Sequence, residues 1–216
     1  MFLSRIELDS RKAETRRALS SPQVLHAAVE GCFEKEQPGR KLWRLDKLGG
    51  RLYLLLLSPN KPDFTSFAAQ FCALNIVGES KDYAVMLARL NEGQRLGFRL
   101  RANPVHSVRS KDGSHGKRGK IYAHVTVEQQ RGWLVKRAES CGFIVREDDF
   151  DVVERGQMRF RRKSGEKSVE IGYAIFEGIL EITNVEQFTE ALIQGIGRAK
   201  AYGCGLMTVA NVAGVR

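Results

Sequence analysis

Gly195-Ile196-Gly197-Arg198-Ala199-Lys200-Ala201-Tyr202-Gly203-Cys204-Gly205 is the stretch whose residue types point most directly to chemistry. Its glycines let the backbone approach a ligand closely, and Arg198 and Lys200 set positive charge among them, which describes a phosphate-binding loop. A dinucleotide fingerprint follows a strand and opens a helix; this loop follows a predicted helix and runs into the apolar Leu206-Met207-Thr208-Val209. Lys200 also stands where the third fingerprint glycine belongs. No Gly-Lys-Ser/Thr occurs where a strand hands over to a helix, which excludes a P-loop. The phosphates of an RNA backbone are the ligand this pattern favours.

Proton transfer is the other chemistry within reach. His26, His106, His115 and His124 are the imidazoles of the chain, and an imidazole titrates near neutral pH. His26 shares one side of a predicted helix with Gln23 and Glu30, opposite a stripe of Val24, Leu25, Ala28, Val29, Cys32 and Phe33. Its ring is therefore expected at the edge of the core, within reach of solvent. Taken alone, a helix-edge histidine is more often structural than catalytic. Glu30, one turn on, either holds the imidazole in its charged form or is a surface charge. His106 and His115 fall in a basic loop, placed only to touch a backbone, and His124 sits beside a predicted helix start.

The net charge of +10 favours polyanionic partners. It concentrates in two segments. Asn103 to Lys120 reads as a loop, with Gly113, Gly116 and Gly119 among Arg109, Lys111, Lys117 and Arg118. Arg155, Arg159, Arg161, Arg162 and Lys163 follow with no acid until Glu166, and Lys167 comes next. If Met158 to Lys163 is one arm of a hairpin, its tip projects a basic finger into a duplex groove. The alternative is a solvated edge strand whose cations discourage sheet-to-sheet association. Cys32, Cys72, Cys141 and Cys204 have no paired spacing, so neither a zinc site nor a disulfide framework is expected. Reduced thiols fit a cytosol. No run approaches the ~20 apolar residues of a membrane span, and the Met-Phe-Leu-Ser-Arg opening lacks a signal-peptide layout. The expectation is a soluble cytoplasmic protein without a metal or cofactor.

These residues need a frame. Phe2 to Asp9 alternates as a strand, a basic loop carries Arg11, Lys12, Arg16 and Arg17, and Ser20 or Ser21 caps a helix with Pro22 in its first turn. Lys41 to Leu48 and Arg51 to Ser58 are strands joined by Gly49-Gly50. Phe64, Phe67, Ala68 and Phe71 mark a second helix, and Tyr83 to Leu87 a closing strand. The order is β-α-β-β-α-β. The second half repeats it. Arg95 to Ala102 is a strand, Thr126 with Gln129 boxes a helix ending near Gly142, and Phe143 to Val153 is extended. Met158 to Lys163 and Val169 to Leu180 follow as strands. Asn184 with Gln187 caps a last helix, Gly195 ends it, and Leu206 to Val209 closes the sheet. The reading is α+β, with two tandem ferredoxin-like (RRM-like) domains, residues 1–90 and 94–216. The aliphatic Leu52 to Leu57 lacks the aromatics of a standard RRM, so base stacking on an open sheet is not expected.

With those blocks in view the chain resembles the CasE endoribonucleases of type I-E CRISPR systems. The resemblance rests on Phe2-Leu3-Ser4-Arg5, Leu25-His26, Phe98-Arg99-Leu100-Arg101-Ala102-Asn103-Pro104, Phe176-Glu177-Gly178, and Gln194-Gly195-Ile196-Gly197 through Gly205-Leu206. It implies a tandem ferredoxin-like fold and metal-independent cleavage of precursor CRISPR RNA at the 3′ base of a repeat stem-loop. It further implies retention of the product among the other subunits of the Cascade complex. It assigns His26 to general acid/base chemistry and the hairpin around Arg159 to Lys163 to the RNA stem. Related enzymes often carry a tyrosine three residues before that histidine, where this chain has Gln23.

Metal-free RNA cleavage requires a 2′-hydroxyl in line with the phosphorus and its leaving oxygen, a group to move protons, and cations for the charged phosphorane. His26 fits the second requirement. Arg159, Arg161, Lys163 and Lys167 are candidates for the third, and Gly197, Arg198 and Lys200 for holding backbone beside the cut, with Gly195 also ending its helix. The competing readings are a non-catalytic stem-loop-binding subunit of the same fold and a basic DNA-binding or ribosome-associated protein.

Overall fold

The computed structural model of the chain describes residues 1–34, 39–108, 119–161 and 168–212. The elements run β1 (Phe2–Leu8), α1 (Ala13–Ser20), α2 (Pro22–Glu30), β2 (Leu42–Leu48), β3 (Arg51–Ser58), α3 (Thr65–Phe71), β4 (Glu79–Asp82), α4 (Ala84–Leu87), β5 (Arg95–Ala102), β6 (Val105–Val108) and β7 (Lys120–Ala123). They continue with α5 (Val127–Glu139), β8 (Phe143–Ile144), β9 (Phe150–Phe160), β10 (Val169–Ile182), α6 (Val185–Gln194) and β11 (Met207–Asn211). The first sheet has the order β2-β3-β1-β4 and the second β11-β5-β10-β8, with β9 also on β10. All pairings are antiparallel. Each sheet thus has the fourth, first, third and second strands of a β-α-β-β-α-β unit side by side, the tandem ferredoxin-like arrangement.

The local chemistry accounts for most boundaries. Gly49 and Gly50 both take positive φ, 57° and 78°, as the two-residue turn between β2 and β3 requires. Thr126 and Gln129 form a reciprocal capping box on α5, and the Asn184 side chain accepts from the Gln187 amide at the start of α6. Gly195, at φ 77°, ends α6. Leu25, Val29 and Cys32 from the α2 stripe are buried with Ile6, Leu54, Leu56, Phe67 and Phe71 in the first core. Trp133, Leu134, Phe176, Phe188 and Leu192 anchor the second.

Three expectations are corrected. The Arg11–Arg17 segment is not all loop, because Ala13 to Ser20 is helical, held down by buried Ala18 and by Thr15 Oγ1 donating to Phe71 O at 3.0 Å. The closing strand of the first sheet is Glu79–Asp82, and the Tyr83–Leu87 stretch instead turns into α4, which starts where Asp82 Oδ1 accepts from Ala84 N. The segment read as a loop from Asn103 contains β6 and, past residues outside the described set, the pairing strand β7. No helix among the described residues is long and apolar enough to cross a membrane.

The sheets are joined by a buried polar lock on β2. Arg44 (1% exposed) and Asp46 (4%) meet in a bidentate pair, Nε to Oδ1 at 2.8 Å and Nη2 to Oδ2 at 2.7 Å. Arg44 also donates to Arg99 O, Leu206 O and Thr208 Oγ1 of the second sheet and its approach, at 2.7, 2.9 and 2.8 Å. Arg99 Nε reaches the same Asp46 carboxylate at 3.2 Å. Burial pulls the Arg44 guanidinium below its ordinary value, and the facing carboxylate counters that pull. Alongside this lock, Leu42 and Leu57 of the first sheet pack with Tyr83 and Leu206.

Candidate active site

His26 is placed by α2. Pro22 starts that helix with its φ already set for it, and burying Leu25 and Val29 turns the next residue of the stripe's edge outward. The imidazole keeps 30% of its surface exposed, as the helical phase predicts. Its Nδ1 lies 4.0 Å from Glu30 Oε1, while Glu30 Oε2 takes the Lys41 ammonium at 2.8 Å. Glu30 is therefore a shared anion between a histidine and a lysine.

Two distant segments converge on that ring. Tyr202, in the short 3-10 turn Lys200–Tyr202, presents its ring edge-on to His26 with centroids 6.3 Å apart and planes at 70°. Tyr202 also meets Phe160, the last residue of β9, with centroids 4.7 Å apart. Tyr202 also lines a cleft of about 570 Å³ between the α1–α2 pair and the β9–β10 strands, with Arg99, Arg101, Gln157 and Arg159 on its walls. In that lining the Arg101 guanidinium lies 3.9 Å over the Tyr173 ring, whose hydroxyl donates to Glu154 Oε1 at 2.9 Å.

The glycine turn is closely packed. Gly195, Gly197, Gly203 and Gly205 have positive φ, as does Ala199 at 59°. A Cβ on Gly195 would stand 2.7 Å from Leu42, and one on Gly203 2.7 Å from Trp43, so both glycines let the turn press against β2. Ile196 N to Gly205 O at 2.9 Å and Gly205 N to Arg101 O close it. Lys200 lays its stem beside Gly205, half-buried, and forms no ion pair with any described residue. Burial, with Arg40 and Arg137 nearby, draws its ammonium below the ordinary lysine range. An uncompensated cation beside two others is what an anion would relieve.

The basic finger is β9 with β10. Arg155 is exposed and donates to Val125 O at 3.3 Å. Arg159 faces Glu170 across the ladder and pairs with it at 3.2 Å, so the absence of acids along one arm did not mean an unpaired arginine. Arg161 is exposed at the end of the described strand, and Arg198 is exposed in the glycine turn. Arg109, Lys111, Lys117, Arg118, Arg162, Lys163 and Lys167, with His115, lie outside the described residues. His26, the turn holding Lys200 and the end of the strand holding Arg159 come together; Arg155, near Val125, lies further along β9. Tyr202, Arg101 and the Arg44–Asp46 pair were not anticipated. Tyr202 had a signal in its position inside the glycine turn, and Arg101 in the Arg-Leu-Arg block. Among the described residues no three His, Cys, Asp or Glu side chains gather as metal ligands.

Comparison with known proteins places this arrangement among relatives. The family described as "CRISPR associated protein" matches residues 1–211. CRISPR-associated endoribonuclease Cse3 of Thermus thermophilus is 29% identical over 223 aligned positions, spanning 97% of this chain and 100% of the relative. CRISPR system Cascade subunit CasE of Escherichia coli is 34% identical over 131 positions, 56% of this chain and 61% of the relative. The structure of CRISPR endoribonuclease Cse3 bound to 19 nt RNA superposes with a TM-score of 0.80 at 29% identity, over 97% of this chain and 100% of that one.

Proposed function

The chain belongs to the CRISPR associated protein family, and from that premise we propose that it is an endoribonuclease of the CasE type, cutting precursor CRISPR RNA at the 3′ base of a repeat stem-loop. It keeps the product as a subunit of Cascade. The observation that carries the reading is the meeting of a partly exposed His26 with the glycine turn through Tyr202, which in turn abuts the end of the basic strand at Phe160.

The proposed reaction needs no metal. The 2′-hydroxyl attacks the adjacent phosphorus in line, the 5′-oxygen leaves, and the products are a 2′,3′-cyclic phosphate and a 5′-hydroxyl. His26 moves the proton, either from the attacking hydroxyl or to the leaving oxygen. Glu30 Oε1, 4.0 Å from Nδ1, is the carboxylate that neighbours the ring. Tyr202 fixes the ring plane, since an imidazole packed against a second ring keeps its nitrogens aimed in one direction. Lys200 stabilises the phosphorane, because charge appearing next to a half-buried ammonium restores the solvation that burial removed. Arg159 and Arg161, with the cations beyond them, hold the stem. The unit of residues 1–90 supplies His26 and Glu30; the unit of residues 94–216 supplies Tyr202, Lys200 and the arginines of the basic strand.

The test is His26→Ala with a repeat stem-loop in EDTA. Lost cleavage with retained binding is expected. Undiminished cleavage removes the histidine from the mechanism, and an unaltered chain that binds the stem-loop without cutting it is a stem-loop-binding subunit.

A further inference from the structure

The β6–β7 hairpin stands apart from both main sheets. Its register sets His106 opposite Tyr122, and His124, two residues after Tyr122, falls on the same face. The rings form a row: His106 and Tyr122 are stacked at 5.9 Å with planes 27° apart, and His106 and His124 lie 4.7 Å apart at 40°. The base of the hairpin is closed by His124 N donating to Pro104 O and tied to α5 by Gln130 Nε2 donating to His124 O, each at 3.0 Å.

A groove of about 780 Å³ separates this hairpin from α5, with His106 and His124 on one wall and Trp133, Lys136 and Arg137 on the other. A recess of about 150 Å³ continues it to Gly197 and Arg198. Lys136, Arg137 and Arg198 form no ion pair with any described residue. Flat rings facing unpaired cations are the means by which proteins hold unpaired nucleotides, bases on the rings and phosphates on the cations. Burial, with His106 and Lys136 nearby, holds His124 below the ordinary histidine value, so its ring is neutral at neutral pH and stacks without desolvating a charge.

We infer that this groove is a second RNA site, which takes one or two unpaired nucleotides flanking the stem. The inference rests on the endoribonuclease reading, since the groove opens at the glycine turn where that reading sets the cut strand. The turn then has RNA on both sides, the scissile phosphate by Tyr202 and the flanking strand past Gly197.

The experiment uses stem-loops blocked by a 2′-deoxy group at the scissile nucleotide, with no extension, two unpaired nucleotides 5′, or two 3′. One extension is expected to tighten binding to the unaltered chain about tenfold, within the range of base stacking on aromatic side chains. That gain disappears in His106→Ala/His124→Ala and survives in His106→Tyr, while affinity for the bare stem stays the same in each. 2-Aminopurine in the extension is quenched by the unaltered chain and stays bright with the double variant. His106→Ala alone, at an exposed position, reports the same loss in part should the double variant fold poorly. If neither extension tightens binding while the bare stem still binds, the groove is not an RNA site. If the bare stem itself does not bind, the endoribonuclease reading falls, and this inference with it.

Discussion

Arg44→Met tests whether the lock on β2 is what makes the two sheets one cooperative unit. Arg44 makes five hydrogen bonds from a nearly solvent-free position, two of them to Asp46 and three to groups brought by the second half of the chain. Removing one partner of a buried pair costs about 3–5 kcal/mol, because the other charge is left uncompensated. Arg99 remains 3.2 Å from Asp46 and recovers part of that, so the expectation is about 3 kcal/mol. With a urea slope of about 2 kcal/mol/M the midpoint falls by roughly 1.5 M. Asp46→Leu alone strands the guanidinium and is similarly costly, whereas Arg44→Met/Asp46→Leu loses less than the sum, with a coupling of about 2 kcal/mol. Urea titrations followed by tryptophan fluorescence report this, since Trp43 lies in the first core and Trp133 in the second. Single losses below 1 kcal/mol, or singles that add within about 0.5 kcal/mol, would refute the reasoning.

Further outcomes follow from the site. Tyr202→Phe keeps both ring contacts and should cleave within a few-fold of the unaltered chain, while Tyr202→Ala frees the imidazole and should slow single-turnover cleavage on the order of a hundredfold with affinity little changed. Equal effects of the two would point to the hydroxyl instead of the ring. Lys200→Gln should weaken RNA binding and reduce the slope of log K against log salt by about 0.9, as one lost phosphate contact does, in titrations from low to high salt. Burial pushes the Cys32 thiol up to about 12, and those of Cys72 and Cys204 to about 11. A raised pKa keeps the neutral thiol up to that pH, so at pH 8 iodoacetamide should leave all three unmodified in the folded chain by mass spectrometry, and cleavage unaffected.

What the sequence disclosed was whatever short-range chemistry decides. Gly49-Gly50, the Thr126–Gln129 box, the Asn184 cap and the stop at Gly195 each act within a few residues, and each stands where the pattern predicts. The phase of His26 was legible for the same reason, because Leu25 and Val29 anchor the stripe beside it. Helix α1 was hidden by its own composition: only Thr15 and Ala18 are buried, too few to mark a stripe among arginines. The first sheet's closing strand is hydrophilic and mostly exposed, and it pairs through β1, so apolar Tyr83 to Leu87 drew the assignment away from it. Arg44 and Asp46 read as ordinary polar positions of a strand, since the carbonyls that make them a lock belong to residues 99 and 206. The row of His106, Tyr122 and His124 depends on a pairing across a long basic connection, and linear spacing could not place those rings together.

In the proposed reaction one imidazole, held against the glycine turn, cleaves an RNA gripped by the basic strand. Single-turnover cleavage of a repeat stem-loop in EDTA, comparing the unaltered chain with His26→Ala, tests it most directly. The unaltered chain should yield a 5′ fragment ending in a 2′,3′-cyclic phosphate, and the variant should bind the RNA with the same affinity but leave it intact. Cleavage by the variant at the unaltered rate, or cleavage by the unaltered chain that stops in EDTA, would contradict it.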